Sequence, residues 1–224
     1  MRLFELINPI DIEKVDDSEA GVGHIEQYDA DKIKDVLDFI STHCSDAIKV
    51  FQQTGFFLYR GINSAGKIFI ATTPINRRPQ GQTPATQKIL DNIFKLVGFK
   101  SLRSTSISVT PTIWTARQWG SPYYIFPLNS FSYTWSEKVK DIGGDYELHQ
   151  ALLNFAPSGD NYENRAILKL SYENATEFID QWKFHNNYIE AALIRNQEIS
   201  IHGQYVAISY NNFAPLIDAK FKRK

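Results

Sequence analysis

The stretch Phe56-Phe57-Leu58-Tyr59-Arg60-Gly61 predicts a short buried strand that ends at a charged residue. Its hydrophobic and aromatic run is typical of a core strand, and the glycine turns the chain directly after the arginine. A guanidinium is rarely buried without a partner. Arg60 therefore either pairs with an internal carboxylate or holds a phosphate or carboxylate of a ligand, where its planar fork gives bidentate geometry. Taken alone, this arginine favours the internal pair.

Composition limits the class of protein. The 224 residues, 43% hydrophobic and 13% aromatic, are enough for one domain with a sizeable core. A net charge of −1 argues against a general nucleic-acid binder. The single cysteine, Cys44, excludes internal disulfides and cysteine-rich zinc sites. With no signal-peptide pattern and no long apolar run, we expect a soluble cytoplasmic protein without a membrane partner.

The chain is expected to form one domain with three parts. Residues 1–54 are mostly helical after an edge strand at 3–7, and their long helical pattern is interrupted around 41–45. Residues 55–210 form the core, and residues 211–224 form a basic tail, whose last five residues, 220–224, we expect to be a solvated terminus.

The core mixes short strands and helices without a regular βα alternation, which predicts an α+β fold. The predicted strands are 56–60, 67–71, 102–109, 123–128, 131–136, 198–201 and 205–208. The last two are separated by His202-Gly203-Gln204, a spacing that predicts a hairpin. The predicted helices are 85–96, 146–155 and part of 173–193.

The segment 73–84 contains three prolines and one glycine, which predicts an exposed loop of the kind that covers ligand clefts. It carries a pair of arginines, Arg77 and Arg78. These could contact an anionic ligand, or they could be solvated charges. The solvated interpretation is favoured, because a charge in an exposed loop costs little.

Three polar elements lie on separate predicted strands: Arg60, the hydroxyl row Ser104-Thr105-Ser106, and Glu198 at the head of the final hairpin. In this order they resemble the arginine–serine–glutamate class of mono-ADP-ribosyltransferases. Three short motifs within 56–208 carry the resemblance: Leu58-Tyr59-Arg60-Gly61, Arg103-Ser104-Thr105-Ser106, and Glu198 followed by an aliphatic strand. Some bacteriophage ADP-ribosyltransferase-like proteins are also similar around 76–79 and 126–136.

The resemblance implies a fold and an activity. The fold is a split pair of small β-sheets that form an NAD cleft, with helices around it. The activity is cleavage of the bond between nicotinamide and ribose, with NAD as the substrate and transfer of ADP-ribose to a macromolecular acceptor. A protein acceptor is favoured, and nucleic acid is the alternative. A phage-encoded enzyme would act in the host cytoplasm.

The resemblance also implies roles for individual residues. Arg60 would anchor the phosphate and ribose portion of NAD, Ser104 would orient the glutamate, and Glu198 would hydrogen-bond the ribose next to nicotinamide. Loss of nicotinamide passes through an oxocarbenium-like centre, which a facing carboxylate stabilises electrostatically. The residues placed at NAD by the resemblance are Tyr59, Arg60, Gly61, Ser104, Thr105 and Ser106.

The roles of three further residues, Asn196, Tyr188 and Tyr59, are open to more than one interpretation. Asn196 stands two residues before Glu198, where the family often has a Glu or Gln that selects or activates the nucleophile. Asparagine can hydrogen-bond a target group but cannot act as a carboxylate base, which makes arginine modification less secure. Tyr188 either contacts the acceptor or packs with Trp182 and Phe184. Tyr59 alternates to the face opposite Arg60, so core packing competes with ligand contact.

Other classes of function have less support. The five histidines show no metal-ligand spacing, and no glycine-rich phosphate loop is present, so we assign no metal and no Rossmann-type NAD site. The main alternative is a non-catalytic interaction or virion-assembly protein on the same scaffold, in which Arg60 and Glu198 form a buried ion pair. A nucleic-acid-binding module is disfavoured by the slight acidity.

Overall fold

The computed structural model of the protein describes residues 25–28, 30–63, 66–77, 83–155 and 170–221. The edge strand predicted at 3–7 and Arg78 lie outside these ranges. The α+β class is confirmed. The interruption predicted around 41–45 is also confirmed, because one helix ends at His43 and the next begins at Ser45, on either side of Cys44.

The described residues form nine strands and eight α-helices. The helices are α1 Ile33–His43, α2 Ser45–Thr54, α3 Pro84–Leu96, α4 Ile113–Arg117, α5 Tyr146–Leu153, α6 Tyr172–Trp182, α7 Ile189–Ile194 and α8 Tyr210–Phe221. The strands are β1 Ile25–Tyr28, β2 Leu58–Ile62, β3 Ile68–Thr72, β4 Ile107–Val109, β5 Ser121–Pro127, β6 Ser132–Ser136, β7 Phe184–His185, β8 Ile199–His202 and β9 Gln204–Ser209. Short 3-10 turns cover Ala30–Lys32 and Arg103–Thr105.

The strands make two small antiparallel sheets. The first has the order β1-β3-β9-β5-β2, and the second has the order β4-β8-β6-β7. The hairpin predicted over 198–208 is therefore wrong. Strand β8 pairs with β4 and β6, whereas β9 pairs with β3 and β5, and the chain changes sheets at Gly203, where φ is +134°. Both edges of each strand are taken by distant partners, so local spacing does not decide the pairing.

The first sheet buries both of its faces, as alternation along its strands requires. One face packs against α1, α2 and α8 through Phe57, Ile68, Ile70, Tyr124, Phe126, Val206 and Ile208. The other face packs on the second sheet through Leu58, Phe69, Tyr123, Ile125, Tyr205 and Ala207, which meet Ile107, Val109, Trp135, Ile199 and Ile201. Arg60 lies two residues from both Leu58 and Ile62 in β2, so its side chain is on the same face as theirs, which faces the second sheet.

A third hydrophobic cluster packs helices α3, α5 and α6 together beside the second sheet. Its buried members include Ile89, Leu90, Ile93, Phe94, Leu148, Leu152, Phe178 and Phe184. This layer supports the segment between α3 and β4, which carries part of the candidate site.

Within the described residues, the solvated terminus expected at 220–224 is wrong at Phe221, and the preceding residues of the predicted tail belong to a helix. Helix α8 runs to Phe221 and buries Phe213, Ile217 and Phe221 in the core beneath the first sheet. The three positions keep a spacing of four residues, which places them on one face of a helix. The basic residues at 220–224 suggested a solvated segment, because their charge was considered without the spacing of the apolar residues.

Because Phe221 is buried, we expect Phe221→Ala to lower the free energy of unfolding by about 3–5 kcal/mol, the usual cost of a large-to-small core change. Urea denaturation measures this difference. Leu216→Ala, at a half-exposed position of the same helix, is the matched control and should cost less than about 1 kcal/mol. Equal effects of the two substitutions would contradict the burial of the C-terminal turn.

Candidate functional site

Within the described residues, one backbone bridge joins the two sheets. Tyr59 of β2 and Thr110, just after β4, exchange backbone hydrogen bonds of 2.7 and 2.8 Å. Further along the same edge of β4, the carbonyls of Ser108 and Ser106 accept hydrogen bonds from arginine side chains: Arg60 donates to Ser108 at 2.9 Å, and Arg77 donates to Ser106 at 3.2 Å. Next to the bridge, arginine side chains thus take the place of backbone donors at these two carbonyls.

Arg77 does not have the solvated position that the loop composition favours. Its backbone N–H donates to the Ser104 carbonyl at 2.7 Å, and the Gln87 side-chain amide donates to its carbonyl at 2.8 Å. These two contacts fix the backbone, so the side chain is directed inward, where it also lies 3.3 Å from the Ser108 hydroxyl. The correction follows from tertiary contacts made by the loop, which its composition does not encode.

Glu198 forms an ion pair with Arg103. The Arg103 Nη1 and Glu198 Oε1 atoms are 2.6 Å apart, and the two residues are 2% and 5% exposed. The other carboxylate oxygen accepts a hydrogen bond of 2.6 Å from the Ile142 N–H. Arg103 also donates to the hydroxyls of Ser108 and Ser200, at 3.1 and 3.4 Å. The partner of Glu198 is thus an arginine, as the internal-pair interpretation requires, but it is Arg103 and not Arg60.

The surroundings of Glu198 favour its charged form. Burial by itself would raise the pKa of this carboxyl group. The charge of Arg103, together with hydrogen bonds from the Ser108 hydroxyl, from Arg103 and from the Ile142 amide, outweighs burial and holds the pKa below the usual glutamate range. Glu198 is consequently a carboxylate at neutral pH.

The surroundings of Arg60 and Arg77, in contrast, lower their pKa values and so disfavour their charged forms. Burial, followed by the charges of Arg60 and Arg103, lowers the pKa of Arg77 to about 9, against the favourable influence of Glu198 and Tyr205. Burial also lowers the pKa of Arg60, which Tyr205 and Glu198 oppose and Arg103 reinforces. The guanidinium groups therefore act on one another as like charges in a poorly solvated place.

Arg60 and Glu198, the first and last elements of the predicted constellation, come together through Ser108. Arg60 binds the carbonyl of Ser108, and the hydroxyl of Ser108 hydrogen-bonds Glu198. Ser104, which was expected to orient the glutamate, lies elsewhere. Its backbone N–H and its hydroxyl both hydrogen-bond Asp91, the former at 3.2 Å. Ser108 occupies the bracing position predicted for Ser104.

The hydroxyl row is not one strand, so the strand predicted over 102–109 is wrong in its first half. Arg103–Thr105 is a 3-10 turn, and β4 begins only at Ile107. The cause is Asp91 on α3, whose carboxylate accepts the backbone N–H groups of Arg103 and Ser104. These amides are therefore not available to a neighbouring strand, and the turn directs the Arg103 side chain toward Glu198.

Thr105 and Ser106, the other two residues of the hydroxyl row, do not direct their hydroxyls at Glu198 or at the arginines that surround it. The Ser106 hydroxyl is 2.8 Å from the Ser101 hydroxyl, and the Ser106 carbonyl takes the Arg77 contact. The Thr105 carbonyl is 2.7 Å from Nδ1 of His202, at the end of β8. Both residues thus tie the segment before β4 to its surroundings.

Tyr59 and Gly61, the neighbours of Arg60, serve packing. The Tyr59 ring contacts those of Phe57, Tyr124 and Tyr210 on the opposite face of the sheet, and burial raises its pKa to about 12. A Cβ at Gly61 would collide with the backbone of α4 and with the Gly120 amide, so glycine permits this close approach. Of the two interpretations of Tyr59, packing in the core and contact with a ligand, these ring contacts favour packing in the core.

Asn196 and Tyr188 are exposed on the segment that leads into β8. Asn196 has φ of +57° in the turn between α7 and β8, and its backbone N–H donates to the Leu193 carbonyl. Tyr188 is 71% exposed at the start of α7, so of its two alternatives the packing with Trp182 and Phe184 is wrong. Within the described ranges, neither side chain hydrogen-bonds Arg60, Arg77 or Arg103.

Two residues that contact Glu198, Arg103 and Ser108, were not predicted as site residues from the sequence. Arg103 directly precedes the hydroxyl triplet, and Ser108 continues the alternation of Ser104 and Ser106, which is the signal that could have identified it. For Arg77 the sequence offered contact with an anionic ligand as an alternative, but the solvated interpretation was favoured.

The Glu198 carboxylate should make stability depend on pH. Because its pKa is lowered in the folded protein, its stabilising contribution is present above the ordinary glutamate value of 4.5 and is lost as the pH falls through the folded value. We expect the difference in unfolding free energy between wild type and Glu198→Gln to shrink between pH 6 and pH 3, roughly the range in which a paired carboxylate loses its contribution. Urea denaturation at several pH values tests this, with exposed Glu147→Gln as control. A difference that is constant over the range would contradict the assignment.

Within the described ranges, no group of three or more His, Cys, Asp or Glu side chains is placed to hold a metal ion. No helix in the same ranges has the length and apolar character needed to cross a membrane. Comparison of the chain with family models, curated proteins and solved structures gives no match.

Proposed function

We propose that the protein is an NAD-dependent mono-ADP-ribosyltransferase. It would cleave the bond between nicotinamide and ribose and transfer ADP-ribose to a macromolecular acceptor, with a protein acceptor favoured. One observation supports the proposal: Arg60 of the first sheet and Glu198, directly before β8 of the second sheet, both contact Ser108 of β4. The resemblance of the surrounding motifs supplies the identity of the substrate.

The chemistry uses the two charges in different ways. Arg60 would hold the diphosphate of NAD and thereby position the nicotinamide ribose, without any change in its own protonation. As the carbon–nitrogen bond breaks, nicotinamide leaves with the bonding electron pair and positive charge develops on the sugar. The Glu198 carboxylate stabilises this charge. The acceptor nucleophile then bonds to the same carbon and loses its proton.

One contact must change for this reaction. Both oxygens of Glu198 accept hydrogen bonds from protein donors, Arg103 and the Ile142 N–H. A ribose hydroxyl has to replace or share one of these donors. The Arg103 contact is the one that another anion can compete for, because the Ile142 donor is a backbone amide.

A second candidate function is a non-catalytic interaction or assembly protein with the same architecture. The observation that favours it is the complete engagement of Glu198, which is 5% exposed and paired with Arg103. In that case the ion pair only joins the 3-10 turn before β4 to the residue before β8, the neighbouring strand. Buried pairs of this kind are common in structural roles.

The experiment that separates the two functions uses NAD labelled separately in nicotinamide and in adenine. The enzyme releases nicotinamide and transfers the adenine label to an acceptor, or to water when no acceptor is present. Protein and nucleic-acid acceptors are offered in parallel. Absence of both release and transfer with wild type, over this range of acceptors, rejects the enzyme and leaves the non-catalytic function.

A further inference from the structure

The segment that follows β6 holds both the backbone and the side chain of Glu198. The Lys140 carbonyl accepts a hydrogen bond of 3.1 Å from the Glu198 N–H, and the Ile142 N–H donates to Glu198 Oε2 at 2.6 Å. The side-chain amide of the adjacent Gln197 donates to the Glu137 carbonyl at 3.0 Å. Three contacts with one segment thus fix the chain around the glutamate and the direction of its carboxylate.

This segment, residues 137–142, is anchored by contacts of its own. The buried Ser136 hydroxyl accepts the backbone N–H groups of Lys138 and Val139, both at 3.0 Å, and donates to the Trp182 carbonyl at 2.6 Å. Val139 is fully buried in the third hydrophobic cluster. The segment is therefore held in place independently of the glutamate.

Asp141 shapes the end of the segment from which the carboxylate receives its backbone donor. Its Oδ1 atom accepts the N–H groups of Gly143 and Gly144, at 2.9 and 3.0 Å, and its carbonyl accepts the Asp145 N–H at 3.0 Å. These bonds close a turn around Ile142, the residue whose N–H meets the glutamate. The Asp141 side chain is exposed, so its removal breaks the turn without opening the core.

We propose that Asp141 is a positioning residue. It fixes the turn whose Ile142 N–H keeps the Glu198 carboxylate oriented while the Arg103 contact is exchanged for the ribose. The part of this assignment that concerns catalysis rests on the proposed function. The hold of the turn on Glu198 is a property of the folded protein and needs no NAD.

Two consequences of a fixed carboxylate can be measured. A carboxylate stabilises a developing cation only where it faces that cation, and misplacement by about 1 Å can cost about 10²-fold in rate. Burial raises the pKa of Glu198, whereas the Arg103 charge, hydrogen bonds from Ser108 and Arg103, and the Ile142 N–H lower it. Loss of the Ile142 contact should therefore raise this pKa.

NMR titration of the Glu198 carboxyl carbon tests the hold on the carboxylate. The full chain is labelled with ¹³C-glutamate, and Glu198→Gln identifies the signal. We expect Asp141→Ala to raise the pKa of Glu198 above the wild-type value. Asp141→Asn removes the same charge but keeps an acceptor oxygen for the turn, so it should titrate like wild type.

Asp145→Ala is the matched control from the same stretch of chain. Asp145 caps helix α5, where its Oδ1 atom accepts the Leu148 N–H at 2.8 Å, and its side chain has no part in the turn around Ile142. This variant loses a charge and a cap, and the titration of Glu198 should not change. Near-UV circular dichroism establishes that each variant is folded before it is titrated.

The rate of nicotinamide release measures positioning in the reaction. We expect Asp141→Ala to lower kcat by about ten- to hundredfold with little change in KM for NAD, because the misplaced carboxylate acts in the transition state. Asp141→Asn and Asp145→Ala should keep a kcat close to that of wild type. A turn that served stability alone would give a folded Asp141→Ala protein with the wild-type kcat.

The outcomes distinguish this proposal from the proposed function. An unchanged Glu198 titration in Asp141→Ala overturns the hold of the turn on the carboxylate, whatever the rate. A raised pKa with a wild-type kcat overturns the positioning role and leaves the enzyme intact. A raised pKa in this variant, with no NAD cleavage by wild type, supports the hold on Glu198 and rejects the enzyme.

Discussion

Replacing Glu198 by glutamine is expected to lower the rate of NAD cleavage by about 10²–10⁴-fold, the range found for single electrostatic and acid–base groups. Glutamine keeps the shape of the side chain and can still accept the Ile142 N–H, but it removes the negative charge that faces the developing cation. Because the charge acts in the transition state, the loss should appear in kcat for nicotinamide release. Affinity for NAD should change much less.

The control for this substitution is Glu147→Gln, at an exposed position of α5, which should leave the rate unchanged. Near-UV circular dichroism confirms that the Glu198→Gln protein is folded before its rate is measured. A folded variant that releases nicotinamide at the wild-type rate would show that Glu198 is not the catalytic carboxylate.

The second large effect concerns stability. Arg103→Met removes one member of a buried ion pair, and we expect it to lower the free energy of unfolding by about 3–5 kcal/mol. The loss arises because Glu198 is left buried without its counter-charge. Adding Glu198→Gln to Arg103→Met removes that unbalanced charge, so the double variant should recover much of the lost stability. Urea denaturation of the four proteins in this cycle gives the coupling energy.

An exposed ion pair provides the comparison for this cycle. Arg195 lies 3.7 Å from Glu137, and both side chains are largely or partly accessible to solvent. Arg195→Met should therefore change stability by less than about 1 kcal/mol. If the effects of Arg103→Met and Glu198→Gln are simply additive, the pair is not coupled and the description of the cluster is incorrect.

Local patterns were sufficient for much of the fold. The helices near 85–96 and 146–155 and the break at Cys44 follow from helical periodicity. The structure adds side-chain N-caps at Thr83 and Asp145. Pairing of strands was harder, because β8 and β9 adjoin in sequence but belong to different sheets. Their partners are distant in the chain, so the single residue between them, Gly203, carries no information about which sheet each strand joins.

In the candidate site, too, local sequence patterns predicted some residues, whereas the positions of others depend on distant contacts. Arg60 and Glu198 could be found because each stands at the end of an apolar stretch, where a charge is conspicuous. Ser104 and Ser108 could not be told apart, since the carboxylate of Asp91 converts the start of the hydroxyl row into a turn. The inward direction of Arg77 depends on contacts with Ser104 and Gln87, which no local pattern of the loop reports.

The structure of the protein with NAD bound is the most direct test of the proposed site. The proposed function predicts that the diphosphate contacts Arg60 and that the nicotinamide ribose lies within hydrogen-bond distance of Glu198. Partial or complete loss of the Arg103–Glu198 contact should accompany binding. NAD bound at another surface, with Glu198 still paired to Arg103 and no ligand at the arginines, would contradict the account.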